Sequence, residues 1–353
     1  MSQSTTSTKK SSPSSRSVRS WNSGPGEATR EYLVLGVGLV VLFLLPFLLP
    51  TSYQPVMVKI LIFAIMAVGW NIMSGYGGMF SFGHAAFFGI GAYSVAYLLS
   101  AHGLNPWFGM LFGAMLAAIV GTVFAFLCLR YKLEGSYFAL ATFAFAQMFF
   151  LLTENLEFLN RTEGINIPIL QDDSWLMMQF HPTSYNYYWI GLFLLVAAVA
   201  VSIWFVHSRP GRFTTAIRDD EVAAESLGIA VLRHRLITVA LSCAITAIAG
   251  GFYTQYYMFV GPNQGFGMQV SVDAIVPAVI GGVGTIWGPL IGAVVVGGLS
   301  ETIADLVRNP PAGLEFLQGL SGLDVAIYAI LLIIIVVFLP KGIYGTIRER
   351  LRK

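Results

Sequence analysis

The sequence is poor in charged residues, and this shortage decides its class. Asp, Glu, Lys and Arg make up 11% of the 353 residues, whereas soluble globular domains carry about 25%. Hydrophobic residues reach 56%, and because a helix needs about 20 residues to cross a bilayer, this content suffices for about ten crossings. Long uncharged aliphatic runs, such as 189–201 and 325–339, differ from the alternating pattern of a membrane β-barrel. The composition predicts an all-α, polytopic membrane protein.

Cysteine is almost absent. Only Cys128 and Cys243 occur; they are far apart and both lie in apolar stretches, with no C-x-x-C motif. This pattern indicates neither a disulfide framework nor a metal site. We expect both thiols to be buried as small hydrophobic groups.

Sequence motifs of catalysis are also missing. The chain has no G-x-x-x-x-G-K-[ST], no H-E-x-x-H and no G-x-S-x-G, and its five histidines are scattered. We therefore expect no catalytic residue, no metal and no cofactor in this chain, and the net charge of +2 indicates no nucleic acid partner. Asp219, Asp220, Glu221 and Glu225 leave a membrane enzyme with a magnesium–diphosphate site as a weaker alternative, since such a site needs a second acidic cluster.

Apolar runs bounded by turn residues predict ten transmembrane helices. They fall near 32–50, 56–74, 81–100, 107–129, 137–153, 187–207, 236–257, 270–282, 287–304 and 323–340. Glycines and Pro289 interrupt 270–304, so this stretch is either two full spans or a re-entrant pair.

The distribution of positive charge orients these helices. With ten crossings and both termini in the cytoplasm, all 20 basic residues except Lys59, Arg161 and Arg308 lie on the cytoplasmic side, as the positive-inside rule requires. Residues 1–31 are rich in Ser and Thr and predict a disordered cytoplasmic tail, with an organelle transit peptide as the alternative. The transmembrane domain then covers 32–345, and 346–353 form a basic cytoplasmic C-terminus.

Two connections are longer than a tight turn, the external loop 154–186 and the internal loop 208–235. The internal loop has basic residues first, then acids suited to cap a helix N-terminus, then Ala223 and Ala224, and finally Gly228. This order predicts a short cytoplasmic helix with a small face that another protein can approach. A solvated loop that merely obeys the positive-inside rule is the alternative.

Several segments resemble one transporter family. The A-A-E-S-L-G stretch, Ala223 to Gly228, is similar to the coupling loop of ABC importer permeases, although Val222 stands where that family usually has Glu. Five segments resemble, in the same order along the chain, segments of branched-chain amino acid permeases of the LivM type. They are GYGGMFSFGHAAFFGIGAY, GSYFALATFAFAQ, GRFTTAIRDDEVAAESLGI, GGVGTIWGPLIGA and LPKGIYG. The resemblance covers about 32–345. The family's Gly-rich external motif is altered, because Glu163 and Ile167 replace glycines.

The resemblance implies a type II-like importer permease fold in a bacterial cytoplasmic (inner) membrane. It implies a permease subunit for branched-chain or other neutral amino acids, paired with a second homologous permease and an external substrate-binding protein. Two ATPase subunits would hold the ATP and magnesium and would contact the coupling residues. These are Arg218, Asp219, Asp220, Glu221, Ala223, Ala224 and Gly228. A urea or amide permease of the same family and a stand-alone secondary carrier remain alternatives.

A few polar residues inside spans are candidates for the translocation path. Ser81, His84, Thr142 and Gln147 should face protein or water rather than lipid, although a cap or a satisfied core position also explains His84. The ionisable residues Lys59, Asp273, Glu301 and Asp305 fall near the outer ends of spans. Because ion-coupled carriers usually keep such a group near mid-membrane, this distribution favours energy supplied by another subunit.

Overall fold

The computed structural model describes residues 53–169, 173–181, 184–308 and 342–351, with scattered positions between 38 and 50 and between 326 and 337. The described residues from Pro50 onward form one compact unit. The predicted tail 1–31 lies outside the described residues, and the predicted first and last spans, 32–50 and 323–340, lie largely outside them.

Helices dominate the described residues. They are α1 Gln54–Trp70, α2 His84–His102, α3 Pro106–Arg130, α4 Ser136–Asn155, α5 Asn186–His207, α6 Arg209–Asp219, α7 Glu221–Ser226, α8 Val231–Tyr257, α9 Pro262–Phe266, α10 Met268–Gly281, α11 Gly288–Arg308 and α12 Gly342–Leu351. A π-helix, Asn71–Tyr76, continues α1, and short 3₁₀ turns cover Glu157–Leu159 and Arg161–Glu163. The all-α prediction is confirmed, apart from two two-residue strands, β1 Ile165–Asn166 and β2 Phe259–Val260.

Seven of the described helices are long and apolar enough to cross a membrane. They coincide with the second to seventh and the ninth predicted spans, which makes the chain a multi-pass membrane protein. The eighth predicted span corresponds to α10, which has 14 residues and contains Pro277. At 1.5 Å per residue it is about 21 Å long, less than the ~30 Å hydrocarbon layer. Residues 270–304 therefore form one short helix followed by one long helix.

Helix α1 lies at the centre of the bundle, against α5, α8, α10 and α11. It is apolar all round, as expected of a helix surrounded by protein, and its Trp70 is fully buried. Helices α3 and α4 are mostly exposed instead, so their apolar side chains are available to lipid or to another membrane protein.

Small residues set the closest helix contacts. Helix α2 crosses α8 where Gly91 lies against the Ala247 carbonyl oxygen and Gly250 lies against the Phe88 carbonyl oxygen. An added Cβ would come within 1.9 Å and 2.0 Å of these oxygens, so only glycine permits the contact. Cys128 and Cys243 are free and buried, as predicted.

The external loop is attached to the bundle by a small antiparallel ribbon. Ile165 pairs with Val260 and Asn166 pairs with Phe259. Ile167, at a position where the family tends to have glycine, is buried. The loop therefore contacts the bundle through apolar side chains and β-pairing with the segment that follows α8.

Candidate functional site

The internal loop folds into two short helices, α6 and α7, called here the α6–α7 hairpin. Ser208 is the N-cap of α6, and its hydroxyl oxygen accepts a hydrogen bond from the Gly211 amide at 3.3 Å. Asp220 has an extended backbone that ends α6, and its carboxylate caps α7 by accepting from the Ala223 amide at 2.9 Å. This confirms the predicted acidic cap.

Helix α7 ends in a Schellman motif. The Gly228 amide donates to the Glu225 carbonyl at 2.9 Å, and the Ile229 amide donates to the Ala224 carbonyl at 3.1 Å. Gly228 has a φ of +80°, a conformation that glycine adopts without a steric penalty. The predicted end of the helix at Gly228 is confirmed.

The two alanines of the hairpin have opposite environments. Ala224 is buried against the chain itself, whereas Ala223 is exposed. Two apolar neighbours are also exposed, Val222 to 75% and Leu227 to 82%. Val222, Ala223 and Leu227 therefore form an outward apolar patch, and Ala224 serves as packing below it. Sequence reasoning did not select Val222 and Leu227, although apolar residues in a polar loop were an available signal.

An ion-pair network holds the hairpin to the membrane helices. The Arg235 guanidinium of α8 donates to Glu221 Oε2 at 2.6 Å and to Glu134 Oε1 at 3.1 Å. Thr214 of α6 and Thr238 of α8 share a buried hydroxyl hydrogen bond of 3.0 Å. Glu221, one of the predicted coupling residues, is thus engaged within the chain.

Arg218 connects the hairpin to the π-helix that follows α1. Its Nη1 donates to the Gly75 carbonyl oxygen at 2.9 Å, and its Nε and Nη2 donate to Asp219 Oδ1 at 3.1 and 2.9 Å. Its aliphatic stem covers Gly78, where an added Cβ would lie 2.6 Å from Arg218 Cγ. The guanidinium therefore joins two segments that are 143 residues apart.

The π-helix is also attached to the turn between α10 and α11. Asn71 Oδ1 accepts from the Gly284 amide at 2.7 Å, and Asn71 Nδ2 donates to the Thr285 carbonyl at 2.9 Å. An added Cβ at Gly284 would lie 3.3 Å from Arg218 Nη1. The hairpin, the π-helix and this turn thus meet at Arg218, and π-helices are frequent at functional sites.

Three of the four predicted path residues lie close together between the π-helix and α4. Thr142 Oγ1 donates to the Ala139 carbonyl at 2.8 Å and accepts from the Phe82 amide at 3.1 Å. Ser81 Oγ accepts from the Gly83 amide at 3.1 Å. His84 Nε2 lies 3.0 Å from Ser242 Oγ, which donates to the Gly69 carbonyl.

These bonds give Ser81, Thr142 and His84 a structural role, because each stabilises the turn at residues 77–83 or the start of α2. His84 is fully buried, and no described residue hydrogen-bonds its Nδ1. Gln147, one and a half turns along α4 from Thr142, is half-buried, and its amide has no hydrogen-bond partner within the described part of the chain. Of the four, Gln147 is the one whose side chain forms no hydrogen bond with another described residue.

No group of three or more His, Cys, Asp and Glu residues able to hold a metal occurs among the described residues.

Known proteins resemble this chain over most of its length. The family described as "Branched-chain amino acid transport system / permease component" matches residues 52–339. The high-affinity branched-chain amino acid transport system permease protein LivM of Escherichia coli (strain K12) is 24% identical over 348 residues, covering 93% of this chain and 78% of the relative.

A second relative, LivH, is likewise a permease protein of a high-affinity branched-chain amino acid transport system. The permease protein LivH of Escherichia coli (strain K12) is 26% identical over 302 residues, covering 80% of this chain and 91% of the relative. No solved structure is significantly similar to this chain. Because the family match includes all seven described spans and the α6–α7 hairpin, this protein belongs to the family of branched-chain amino acid transport system permease components.

Proposed function

We propose that this chain is one of two homologous permease subunits of an ATP-driven importer for branched-chain or other neutral amino acids. An external binding protein delivers the solute, and two ATPase subunits, which hold the ATP and magnesium, drive the transport. The complex resides in a bacterial inner membrane with both termini of this chain in the cytoplasm. The similarity to both LivM and LivH supports the pairing of two related permeases.

The observation that carries this proposal is the outward patch of Val222, Ala223 and Leu227. It lies on a hairpin that an ion pair and a buried hydrogen bond attach to α8. Exposed apolar side chains in a polar loop mark a protein contact. The cap at Asp220 and the Schellman motif at Gly228 hold α7, and with it the patch, in a fixed conformation. Arg218 transmits a displacement of the hairpin to the π-helix through its hydrogen bond to Gly75. An ATPase surface that binds the patch can therefore pull on the centre of the bundle.

The placement of charge supports an external energy source. Helices α2 and α5 contain no Asp, Glu, Lys or Arg, and in α3, α4 and α8 such residues lie near the helix ends. An ion-coupled carrier would need an ionisable group deep in the membrane. Five of the seven described spans thus have no acidic or basic side chain away from their ends, and Lys59 of α1 and Glu301 of α11 are the exceptions. This distribution favours a permease driven by ATP hydrolysis in partner subunits.

The hairpin contact is tested by Ala223→Trp in the complete complex reconstituted into liposomes. A bulky side chain on the patch disrupts a fitted interface at a cost of about 1–3 kcal/mol, so we expect ATP-dependent uptake of labelled leucine to fall about tenfold. Ala223→Ser, which keeps the residue small, is the matched control and should transport normally. Normal uptake by Ala223→Trp would refute the assigned contact.

The ATP requirement and the solute are tested in the same liposomes. The chain without ATPase subunits should transport no leucine, and uptake by this chain alone would replace the proposal with a secondary carrier. Competition by unlabelled leucine, isoleucine or valine should reduce uptake in the full complex. Competition by urea instead would assign the chain to urea or amide transport.

A further inference from the structure

Asn71, the first residue of the π-helix, carries a buried side-chain amide whose two ends are both paired with one distant turn. This turn, called here the α10–α11 turn, comprises residues 282–285. Oδ1 of Asn71 accepts from the Gly284 amide, and Nδ2 donates to the Thr285 carbonyl oxygen, across 213 and 214 residues. Because a buried amide without partners costs free energy, these two bonds hold the π-helix and the turn together.

The residue that receives the hairpin lies directly against the residue that holds the turn. A Cβ added at Gly75 would lie 2.1 Å from Asn71 Oδ1 and 2.7 Å from the Gly284 amide nitrogen. The carbonyl oxygen of the same Gly75 accepts the hydrogen bond from Arg218. The hairpin, the π-helix and the α10–α11 turn are therefore in unbroken contact through Arg218, Gly75 and Asn71.

Internal hydrogen bonds join the α10–α11 turn to the start of α11. Thr285 Oγ1 donates to the Gly282 carbonyl oxygen at 2.8 Å and accepts from the Gly288 amide at 2.9 Å. On its other side the turn contacts α12, since a Cβ added at Gly342 would lie 2.5 Å from Gly282 Cα. A displacement of the turn therefore also displaces the beginning of α11.

Helix α10 extends from this turn to the start of α2. Ser271, in the first turn of α10, is buried, and its Oγ accepts from the Ala85 amide at 3.0 Å. Ala85 follows His84, one of the predicted path residues. One 14-residue helix thus connects the α10–α11 turn with the region of the predicted path residues.

We propose that Asn71 is the positioning residue through which the α6–α7 hairpin displaces α10 and α11. When an ATPase subunit moves the hairpin, Arg218 draws on Gly75, and the Asn71 amide moves the α10–α11 turn together with the π-helix. Contiguous hydrogen bonds and packed groups can carry such coupling between distant sites. The inference rests on the proposed function and adds the route by which the ATPase contact acts on helices beyond α1.

The test compares Asn71→Ala with Ser74→Ala in the complete complex reconstituted into liposomes. Both changes remove buried hydrogen bonds of the π-helix, but Ser74 Oγ donates to the Met79 carbonyl oxygen within the same segment and does not reach the turn. We expect Asn71→Ala to lower leucine uptake per ATP hydrolysed about tenfold, and Ser74→Ala to keep the wild-type ratio. An equal fall in both variants would overturn the proposal, because loss of π-helix stability would explain it.

The isosteric variant Asn71→Asp keeps an acceptor for the Gly284 amide and loses the amide donor to the Thr285 carbonyl oxygen. It should lower the ratio of uptake to hydrolysis as well. This ratio does not depend on how much complex folds, so a reduced yield of either Asn71 variant does not obscure the result.

A double variant tests whether Arg218 and Asn71 act in one route. Arg218→Gln/Asn71→Ala should lower the ratio about tenfold, no further than either single change, whereas independent effects would multiply to about a hundredfold. A hundredfold fall, or a wild-type ratio in both Asn71 variants while Ala223→Trp still impairs uptake, would overturn the role of Asn71 and leave the proposed function intact. Absence of ATP-dependent uptake by the wild-type complex would refute the proposed function, and this inference with it.

Discussion

At the scale of single residues, the neighbouring alanines Ala223 and Ala224 differ in solvent exposure and therefore in role. Ala223 and Ala224 are equivalent in sequence, yet only Ala223 is exposed on the outward patch. A bulky residue in place of Ala224 would strain the packing of the hairpin itself. Tests of the ATPase contact therefore belong at Ala223, and tests of hairpin stability belong at Ala224.

Substitution of Arg218 is expected to uncouple ATP hydrolysis from transport. Arg218→Gln removes the charged hydrogen bond to the Gly75 carbonyl, while the pairs Glu221–Arg235 and Thr214–Thr238 keep the hairpin attached. Since such a bond contributes about 1.5–3 kcal/mol, solute uptake per ATP hydrolysed should fall about tenfold in reconstituted complexes.

Two further variants make the Arg218 prediction specific. Arg218→Lys should be intermediate, because an ammonium group cannot reproduce the fork that reaches both Gly75 and Asp219. Arg212→Gln, on the same helix, should behave like the wild type. An unchanged ratio of uptake to hydrolysis in Arg218→Gln would contradict the role of this contact.

At the scale of elements, the end of α7 depends on backbone conformation alone. Gly228 has a φ of +80°, and no atom lies within 4 Å of a Cβ added there. Gly228→Ala should therefore cost about 1 kcal/mol through the left-handed backbone, with no steric contribution. Hydrogen exchange of the amides over 221–229 should become about fivefold faster.

Gly228→Asn is the matched variant for this prediction, because Asn tolerates the left-handed region better than Ala. Its exchange rates should lie between those of the wild type and Gly228→Ala. Equal exchange in all three proteins would show that the Schellman motif does not limit the opening of α7.

At the scale of the whole molecule, the crossing of α2 and α8 requires glycine. A Cβ at Gly91 would lie 1.9 Å from the Ala247 carbonyl oxygen, whereas Gly298 of α11 has open space around it. Gly91→Ala should separate the two helices and lower the thermal unfolding temperature of the detergent-solubilised protein, at a cost of about 1–3 kcal/mol.

Gly298→Ala provides the control, since it makes the same chemical change in a transmembrane helix without a clash. It should leave the unfolding temperature unchanged or raise it slightly, because Ala is the better helix former. If both variants lost the same stability, the close crossing of α2 and α8 would not be the cause of the loss.

The sequence alone was enough to predict three features. These are the membrane class, the seven described helices long enough to span a membrane, and the two ends of α7. Their causes are local: apolar length determines whether a helix can cross a bilayer, and Asp220 and Gly228 act within one turn of their own positions. The eighth apolar run, predicted at 270–282, coincides with α10 Met268–Gly281. Apolar content alone left open whether 270–304 forms two full spans or a re-entrant pair, because it does not show how a short helix that contains Pro277 packs.

Tertiary structure alone decided which side chains of the candidate site face outward and which act within the fold. Arg218 meets Gly75 across 143 residues, Glu221 is engaged by Arg235, and Ser81 and His84 are used in local or interhelical bonds. The sequence determined which segments are helical and membrane-embedded, because hydrophobicity and capping are properties of neighbouring residues. The contacts between distant segments depend on how the helices rotate and cross, and only the packed bundle determines that.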